Sequence, residues 1–576
     1  MKTICAADYG ILPDTGKDYT ADLSALFAAN KEDTLITLSP GRYDFFAENA
    51  IQRSWSLSNT DLVPFVRIGL LLETMRGVVL EGEGAQLVYH GSMIPIALSG
   101  CHEVTVKNLT IDWDIPLSAE GQVLESTATW FDIAIDPVEY PHLVRGDTLV
   151  FTGESWQEPL RSAIEFDTHT NKVRYGTGDV FSRMTAQQRD TGVVRLFGDF
   201  AVPPQPGNWM VLRHTPRVHS GIFAQDSSNL SLQEIAIHGT AGLGVLCQFC
   251  ENLHFKVVRL VPNPARGRRF LSGHDDGLHL SNNRGAIVVE QCSFFGLMDD
   301  SINVHGTAAQ IVELCDEHTL RGRFVHPQSV AFPNWAVPEQ EISFLDHLTL
   351  QELGQGKVNA FTLDSTTDFT LAFDCPIPKD VRVGDALENS SNTPSLTIRN
   401  CHFGSCRARG ILITTPRPVL VENNLFESSG AAILLAGDAN QWFETGACRN
   451  VVIRGNVFAD CCMTSDYQFC QAILTLEPEI PQPERNRAFH RNICICDNVF
   501  HLSAVPLLYA KSTQCLVFSN NRIYRSDLYP HRAGVRDALF VLEHCQSVTI
   551  GGNLLIDEPF TRQVVQTDCE GVELSL

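Results

Sequence analysis

With 576 residues, 44% of them hydrophobic, the chain can bury a large core and is expected to form more than one domain. Its formal net charge of −24 argues against nucleic acid and anionic membrane surfaces as partners. It contains no run of apolar residues long enough for a transmembrane helix, which needs about 18.

The opening MKTICAADYG has no apolar signal core and no cleavage site. The protein is therefore expected in the cytoplasm if this is the full chain, and in the periplasm or outside the cell if a signal peptide was removed. Residues 19–30 fit a short amphipathic helix with Thr20 and Asp22 near its start. A strand-like run, 34–38, and the turn Ser39-Pro40-Gly41 follow. This order resembles the N-terminal cap of pectin-degrading right-handed β-helix enzymes, in which a helix covers the open end of the coil.

One phrase of about eight residues then recurs: an alternating apolar strand, a polar pair and a second apolar pair. It appears at 104–111, 230–237, 253–260, 287–294, 396–403, 419–426, 451–458, 493–500, 516–523 and 548–555. Period-two alternation makes each copy a strand. The turn column carries Asn424, Asn456, Asn498, Asn521 and Asn553, which predicts stacked amide ladders and left-handed turns. From Cys401 onward the column recurs after 23, 32, 42, 23 and 32 residues, as coils of about 23 residues with loop insertions would. The fold class predicted is all-β, a right-handed parallel β-helix (solenoid).

Two gaps interrupt the repeat, 126 residues between Leu109 and Ile235 and 109 between Cys292 and Cys401. Both are rich in short β-like runs and read as inserted small β-barrel-like domains. The predicted organisation is a cap and first coils over 1–114, an inserted β-domain over 115–215, and coils over 216–306. A second insert over 307–393 and C-terminal coils over 394–576 complete it. Most of the 18 cysteines, among them Cys292, Cys401, Cys494, Cys496 and Cys515, read as core filler in a reducing compartment, with a few disulfides left open.

The stretch 272–306 stands between the inserts. Its doublets Asp275-Asp276 and Asp299-Asp300 are 24 residues apart, about one coil. Strands of adjacent coils lie about 4.8 Å apart, so four carboxylates crowd one patch and at least one must be raised in pKa. Paired carboxylates in one groove serve glycoside hydrolysis, one as acid and one as base. Calcium binding in a lyase is the second chemistry for such a cluster, with Arg266, Arg268 and Arg269 as candidate bases. A glycan-binding β-helix without catalysis is the third reading.

The layout Asp276-Gly277 followed by Asp299-Asp300 resembles the polygalacturonase superfamily, although that family's later Gly-His-Gly and Arg-Ile-Lys signatures are absent. A closer resemblance is to glycoside hydrolase family 110, the α-1,3-galactosidases. It rests on GHDDGLHLSNNRG (273–285), GLMDDSINVHGT (296–307), RARGIL (407–412) and GDANQWFE (437–444), and it covers nearly the whole chain. The resemblance implies an inverting exo-enzyme that uses no metal or cofactor. It would remove terminal α-1,3-linked galactose from glycans such as the blood group B determinant or linear Galα1-3Gal ends. The partner implied is an oligosaccharide or glycoconjugate ending in α-galactose, with no nucleic acid and no membrane; a homodimer is one option. By the polygalacturonase layout Asp299 is the general acid, and Asp276 and Asp300 hold the water; the two labels can be exchanged. Asp275, His274, His279, Asn303, His305, Arg409, Asp438, Trp442 and Glu444 are candidate substrate-binding residues. Each also has a purely structural reading: Trp442 as a loop anchor, Arg409 as a salt-bridge partner, the histidines as hydrogen-bond partners.

Overall fold

The computed structural model describes residues 1–180, 184–267, 269–465, 467–484, 486–530, 532, 534–556 and 563–575. Among the described residues two long sheets, of 23 and 14 strands, run the length of the molecule, and each coil contributes to both; they are parallel except where Ile51–Arg53 and Glu444–Thr445 join the smaller one antiparallel. In the smaller sheet Leu278 lies beside Ile302, Ile302 beside Ile411, and the column continues through Ile433, Leu474 and Leu508. This is the right-handed parallel β-helix that the repeats predict. The short helix Thr20–Ala28 buries Leu23, Leu26 and Phe27 in the same core as the first coils.

Each copy of the phrase folds the same way for a local reason. In the strand Pro394–Arg399, Leu396 and Ile398 point inward and Thr397 and Arg399 outward. Asn400 then adopts a left-handed φ of 56° and turns the chain, so that Cys401 and Phe403 again point inward. The left-handed residue is thus the one before the ladder column, as at Asn423, Asp497 and Asn520. The column asparagines themselves bond upward: Asn424 Nδ2 donates to Asn456 Oδ1 at 3.0 Å, and Asn456 to Asn498, Asn498 to Asn521 and Asn521 to Asn553 follow at 3.0–3.1 Å. Beside the ladder Phe294, Phe403, Phe426, Phe458 and Phe500 stack at centroid separations of 4.5–5.3 Å. Each buried ring contributes roughly 1.5–3 kcal/mol of apolar burial.

The two gaps are two inserted β-structures. In the first, a six-stranded antiparallel sheet (Ala119–Ser126 to Trp209–Arg213) is covered by a three-stranded one (His142–Arg145, Thr148–Gly153 and Trp156–Pro159). Phe131, Ile133, Leu149 and Phe151 fill the space between them. The second is a closed six-stranded barrel, Ala309–Leu314 to Ala386–Asn389, around Phe324, Trp335, Phe344 and Phe369.

All 18 cysteines are free thiols. Cys292 and Cys401 are buried in the core, but Cys494 and Cys496 are only half-buried and Cys515 is exposed. The alternation there puts Ile493 and Ile495 inside and turns the sulfurs out, which corrects the expectation for those three. The sequence also holds one Cys-x-x-Cys spacing, Cys247 to Cys250, that its reading passed over; both thiols are buried and pushed up by burial. No helix among the described residues is long and apolar enough to cross a membrane.

Candidate active site

The two acidic doublets occupy equivalent places on adjacent coils, just before the strands Leu278–Ser281 and Ile302–Thr307. The stack continues to Arg409, because Ile302 pairs with Ile411. Asp276, Asp300 and Arg409 therefore form one column. Asp299 and Asp300 lie in a bend rather than a strand, so they are not forced to opposite faces. Gly296 permits that bend: its φ is +70°, and a Cβ there would meet the Phe270 carbonyl oxygen at 2.0 Å.

The four carboxyls have different partners. Asp300 accepts from Arg409 Nε at 2.7 Å, Nη2 at 2.8 Å and the Arg409 backbone N–H at 3.0 Å. Burial pushes it upward, and this bidentate cation works against burial and limits the rise. Asp275 is also buried, yet Arg217, His274 and Arg213, at 3.5, 3.0 and 3.3 Å, hold it well below the usual carboxylate range. Asp276 goes the other way. Burial, then the nearby Asp299 charge, raise it well above that range, and its closest cation, Arg217, is 3.9 Å away. Asp299 is the least buried of the four, with Arg407 Nη2 at 3.6 Å.

These groups open onto a cleft with two lobes. The inner chamber is lined by Asp276, Asp299, Asp300, Asn303 and Arg409, with Leu412, Leu434 and Ala436 as apolar surface. The outer lobe is lined by Asp179 of the first insert with Arg213, His274, Asp275 and Arg407. Asp299, Arg217, Trp442 and Tyr467 border both lobes, whereas Asp276 and Asp300 border only the inner one.

The residues predicted as substrate-binding separate accordingly. Asn303, Arg409, Trp442, Glu444 and Asp438 line the inner chamber; His274 and Asp275 face only the outer lobe. His279 and His305 line neither: they share the outward face of the sheet with Asn303 and Ser281, but Ser58 and Glu444 pack over that face and leave them buried behind Asp276. Asp438 is occupied by its own loop and accepts the backbone N–H groups of Asn440, Gln441, Trp442 and Phe443. Trp442 packs on His326 of the second insert, ring centroids 4.6 Å apart.

Several lining residues escaped sequence reading. Tyr467 lies under the guanidinium groups of Arg407 and Arg409, at 4.4 and 4.9 Å. Glu477 and Glu479 each have a buried Oε2 with no partner, and each is pushed up to about 7 by burial, Glu479 further by Asp438. Only the coil register, which sets Asp438 beside Glu479, brings them here. Arg217 stands at the return from the first insert, far in sequence from any acidic doublet.

The basic run does not reach the cluster. Arg266 and Arg269 are engaged by Asp112 and Glu139, and Arg268 lies outside the described residues. Arg217, Arg407 and Arg409 already supply positive charge to the aspartates, so the donor set suits proton chemistry better than a bound dication.

Stacked coils that gather Asp276, Asp299 and Asp300 at one chamber give the clustered carboxyls of a β-helix carbohydrase. Models of GLAA-B β-barrel domain I and domain II match residues 119–210 and 319–387. An α-1,3-galactosidase B of Bacteroides thetaiotaomicron is 40% identical, over 96% of this chain and 91% of that one. An α-1,3-galactosidase A of Bacteroides fragilis is 32% identical over 98% and 94%. A solved structure of the Agl-KA catalytic domain is a remote likeness, at 9% identity and a TM-score of 0.45, covering 100% of this chain and 68% of that one. The chain belongs to the α-1,3-galactosidase family, glycoside hydrolase family 110.

Proposed function

We propose that the protein is an exo-acting, inverting glycoside hydrolase that releases terminal α-1,3-linked galactose from glycans such as the blood group B determinant or linear Galα1-3Gal. The observation that carries this is the position of Asp299 between two lobes. A terminal galactose fills the inner chamber and the rest of the glycan lies in the outer lobe. The scissile oxygen then falls beside Asp299, the general acid. Asp276 and Asp300, bordering only the inner chamber, hold and activate water on the far side of the sugar. Trp442 offers an apolar face to the ring, and the unpartnered Glu477 and Glu479 oxygens suit its hydroxyls.

A proton NMR time course on Galα1-3Gal and on blood group B trisaccharide, with EDTA present, tests this reading. It expects β-galactose as the first product and no loss of rate to the chelator. α-Galactose first would mean retention. Failure to release galactose while glycan still binds would favour the non-catalytic reading.

A further inference from the structure

The hydrogen bonds behind Asp276 form a directed chain. Asp276 Oδ2 lies 2.6 Å from His279 Nδ1, His279 Nε2 lies 2.8 Å from His305 Nε2, and His305 Nδ1 lies 3.2 Å from the Gly306 carbonyl oxygen. A carbonyl only accepts, so a neutral His305 carries its proton on Nδ1. Its Nε2 is then bare and accepts from the Nε2–H of His279. That leaves His279 Nδ1 bare, and a bare nitrogen facing a carboxyl oxygen at this distance places a proton on Asp276.

The same proton has one other arrangement. Asp276 becomes a carboxylate, His279 carries its proton on Nδ1 and donates to it, and His305 becomes an imidazolium that donates from both nitrogens. Net charge is unchanged. Glu444 Oε1, 3.7 Å from His305 Nε2, favours this second form. Asp276 is faced by Arg217, Asp275, Asp299 and Asp300, and His305 by Glu444 and His326.

Packing alone does not account for the pair. Both rings are shut off from solvent, and buried imidazoles are costly unless their nitrogens are satisfied. They come from different coils, with His279 beside Asn303 and His305 beside Ser281 in register, yet they meet edge to face at 4.8 Å. Apolar residues at either position would fill the space without linking Asp276 to Glu444.

We propose that His279 and His305 form a proton relay that moves the proton of Asp276 toward Glu444, switching Asp276 between a protonated resting form and the base that hydrolysis requires. This rests on the function proposed above. In each turnover Asp276, as carboxylate, takes one proton from the attacking water as its oxygen bonds to the sugar. Once galactose leaves, Asp276 returns that proton to solvent through the open chamber while His305 keeps the proton relayed to it, so that Asp276 is again a carboxylate. His279 and His305 act through Asp276 and are positioning residues.

Two measurements test the relay. The first is two-bond ¹H–¹⁵N correlation of ¹⁵N-histidine-labelled wild-type protein near pH 7, which needs no variant to fold. It expects either His279 protonated on Nε2 with His305 on Nδ1, or His305 doubly protonated with His279 on Nδ1; any other pairing overturns the relay. The second is the pH profile of His305→Phe. With no acceptor for its Nε2–H, His279 turns its proton to Asp276 and holds it ionised. The acid limb of kcat/KM then moves to lower pH, while kcat on the plateau changes little. An equal loss at every pH, with the limb in place, overturns the relay. Asp276→Asn separates the two claims. If that variant still cleaves, the assignment of Asp276 as base fails. If it is inactive while His305→Phe keeps the wild-type limb, only the relay fails.

Discussion

Asp275 and Asp276 are neighbours in the chain and are shifted in opposite directions. Two arginines and a histidine surround the first, whereas the second has burial, other carboxyls, His279 and a guanidinium 3.9 Å away. This difference makes a direct prediction. Asp276→Asn and Asp299→Asn keep shape and hydrogen-bonding capacity but cannot exchange a proton, so each lowers kcat on the order of 10²–10⁴-fold with KM changed little. Steady-state kinetics on Galα1-3Gal checks it. Retention of a tenth or more of the wild-type rate in either variant removes that residue from the acid and base roles. The doublets were legible because their flanks repeat with them one coil apart. Their cationic frame was legible only in part: Arg407 and Arg409 lie in the RARGIL stretch, whereas Arg213 and Arg217 come from the end of the first insert and nothing in their local sequence marks them. The histidines were legible as neighbours of the doublets but not as buried groups, because the residues packed over their face, Ser58 against Ser281 and Glu444 beside His305, lie far off in the chain.

At the scale of elements, the repeated phrase specified the coil, its ladder and its core side. The Asn column bonds as its spacing predicts, while the left-handed residue precedes it, a distinction of one position that alternation alone does not settle. Asn456 is fully buried and its side chain makes four hydrogen bonds to three neighbours: it accepts from Asn424 twice and donates to Asn498 and to the Val421 carbonyl. Asn456→Ala leaves buried groups unpaired at about 1–3 kcal/mol each, so it destabilises on the order of 3 kcal/mol. Asn553→Ala, at the half-buried last rung, costs less. Thermal unfolding of both variants checks the order; an equal cost would mean that the ladder is not a cooperative stack.

A second element carries a pH dependence. Glu120, in the strand Ala119–Ser126, accepts the backbone N–H groups of Phe270 and Leu271, both at 2.8 Å, and so ties the first insert to the segment that leads into His274. Burial pushes it up to about 7 despite those two donors. Its folded value therefore lies above the unfolded one, about 4.3. The stability it contributes is whole below about 4.3 and is lost as pH rises through about 7, by about 1.4 kcal/mol per pH unit between the two. Glu120→Gln has no such proton to lose. The stability gap between wild type and this variant should narrow from pH 5 to pH 7, as read by denaturant titration. A gap that stays constant or widens contradicts the assignment.

At the scale of the whole molecule, the solenoid supplies the carboxylates and the inserts complete their surroundings. The second insert braces Trp442 through His326. Through Ser329 Oγ, which donates to Asn59 Oδ1 at 3.0 Å, it also steadies Asn59, whose Nδ2 donates to Glu444 at 2.6 Å. The first insert reaches in with Asp179, which pairs with Arg407, the arginine that also faces Asp299. The sequence placed the inserts on either side of the acidic coils because their roots flank those coils. It did not show which residues point inward, since that depends on how each insert folds back. Asp179 anchors Arg407 from the first insert, and in Asp179→Ala only the Met298 carbonyl and the Tyr467 ring still hold that guanidinium at the outer lobe. The outer lobe is where the rest of the glycan lies in the proposed reading, so the variant should raise KM for Galα1-3Gal on the order of 10-fold with kcat changed little, as steady-state kinetics reads. A fall in kcat at unchanged KM would mean instead that Asp179 acts through Arg407 on the chemistry at Asp299 and not on the glycan.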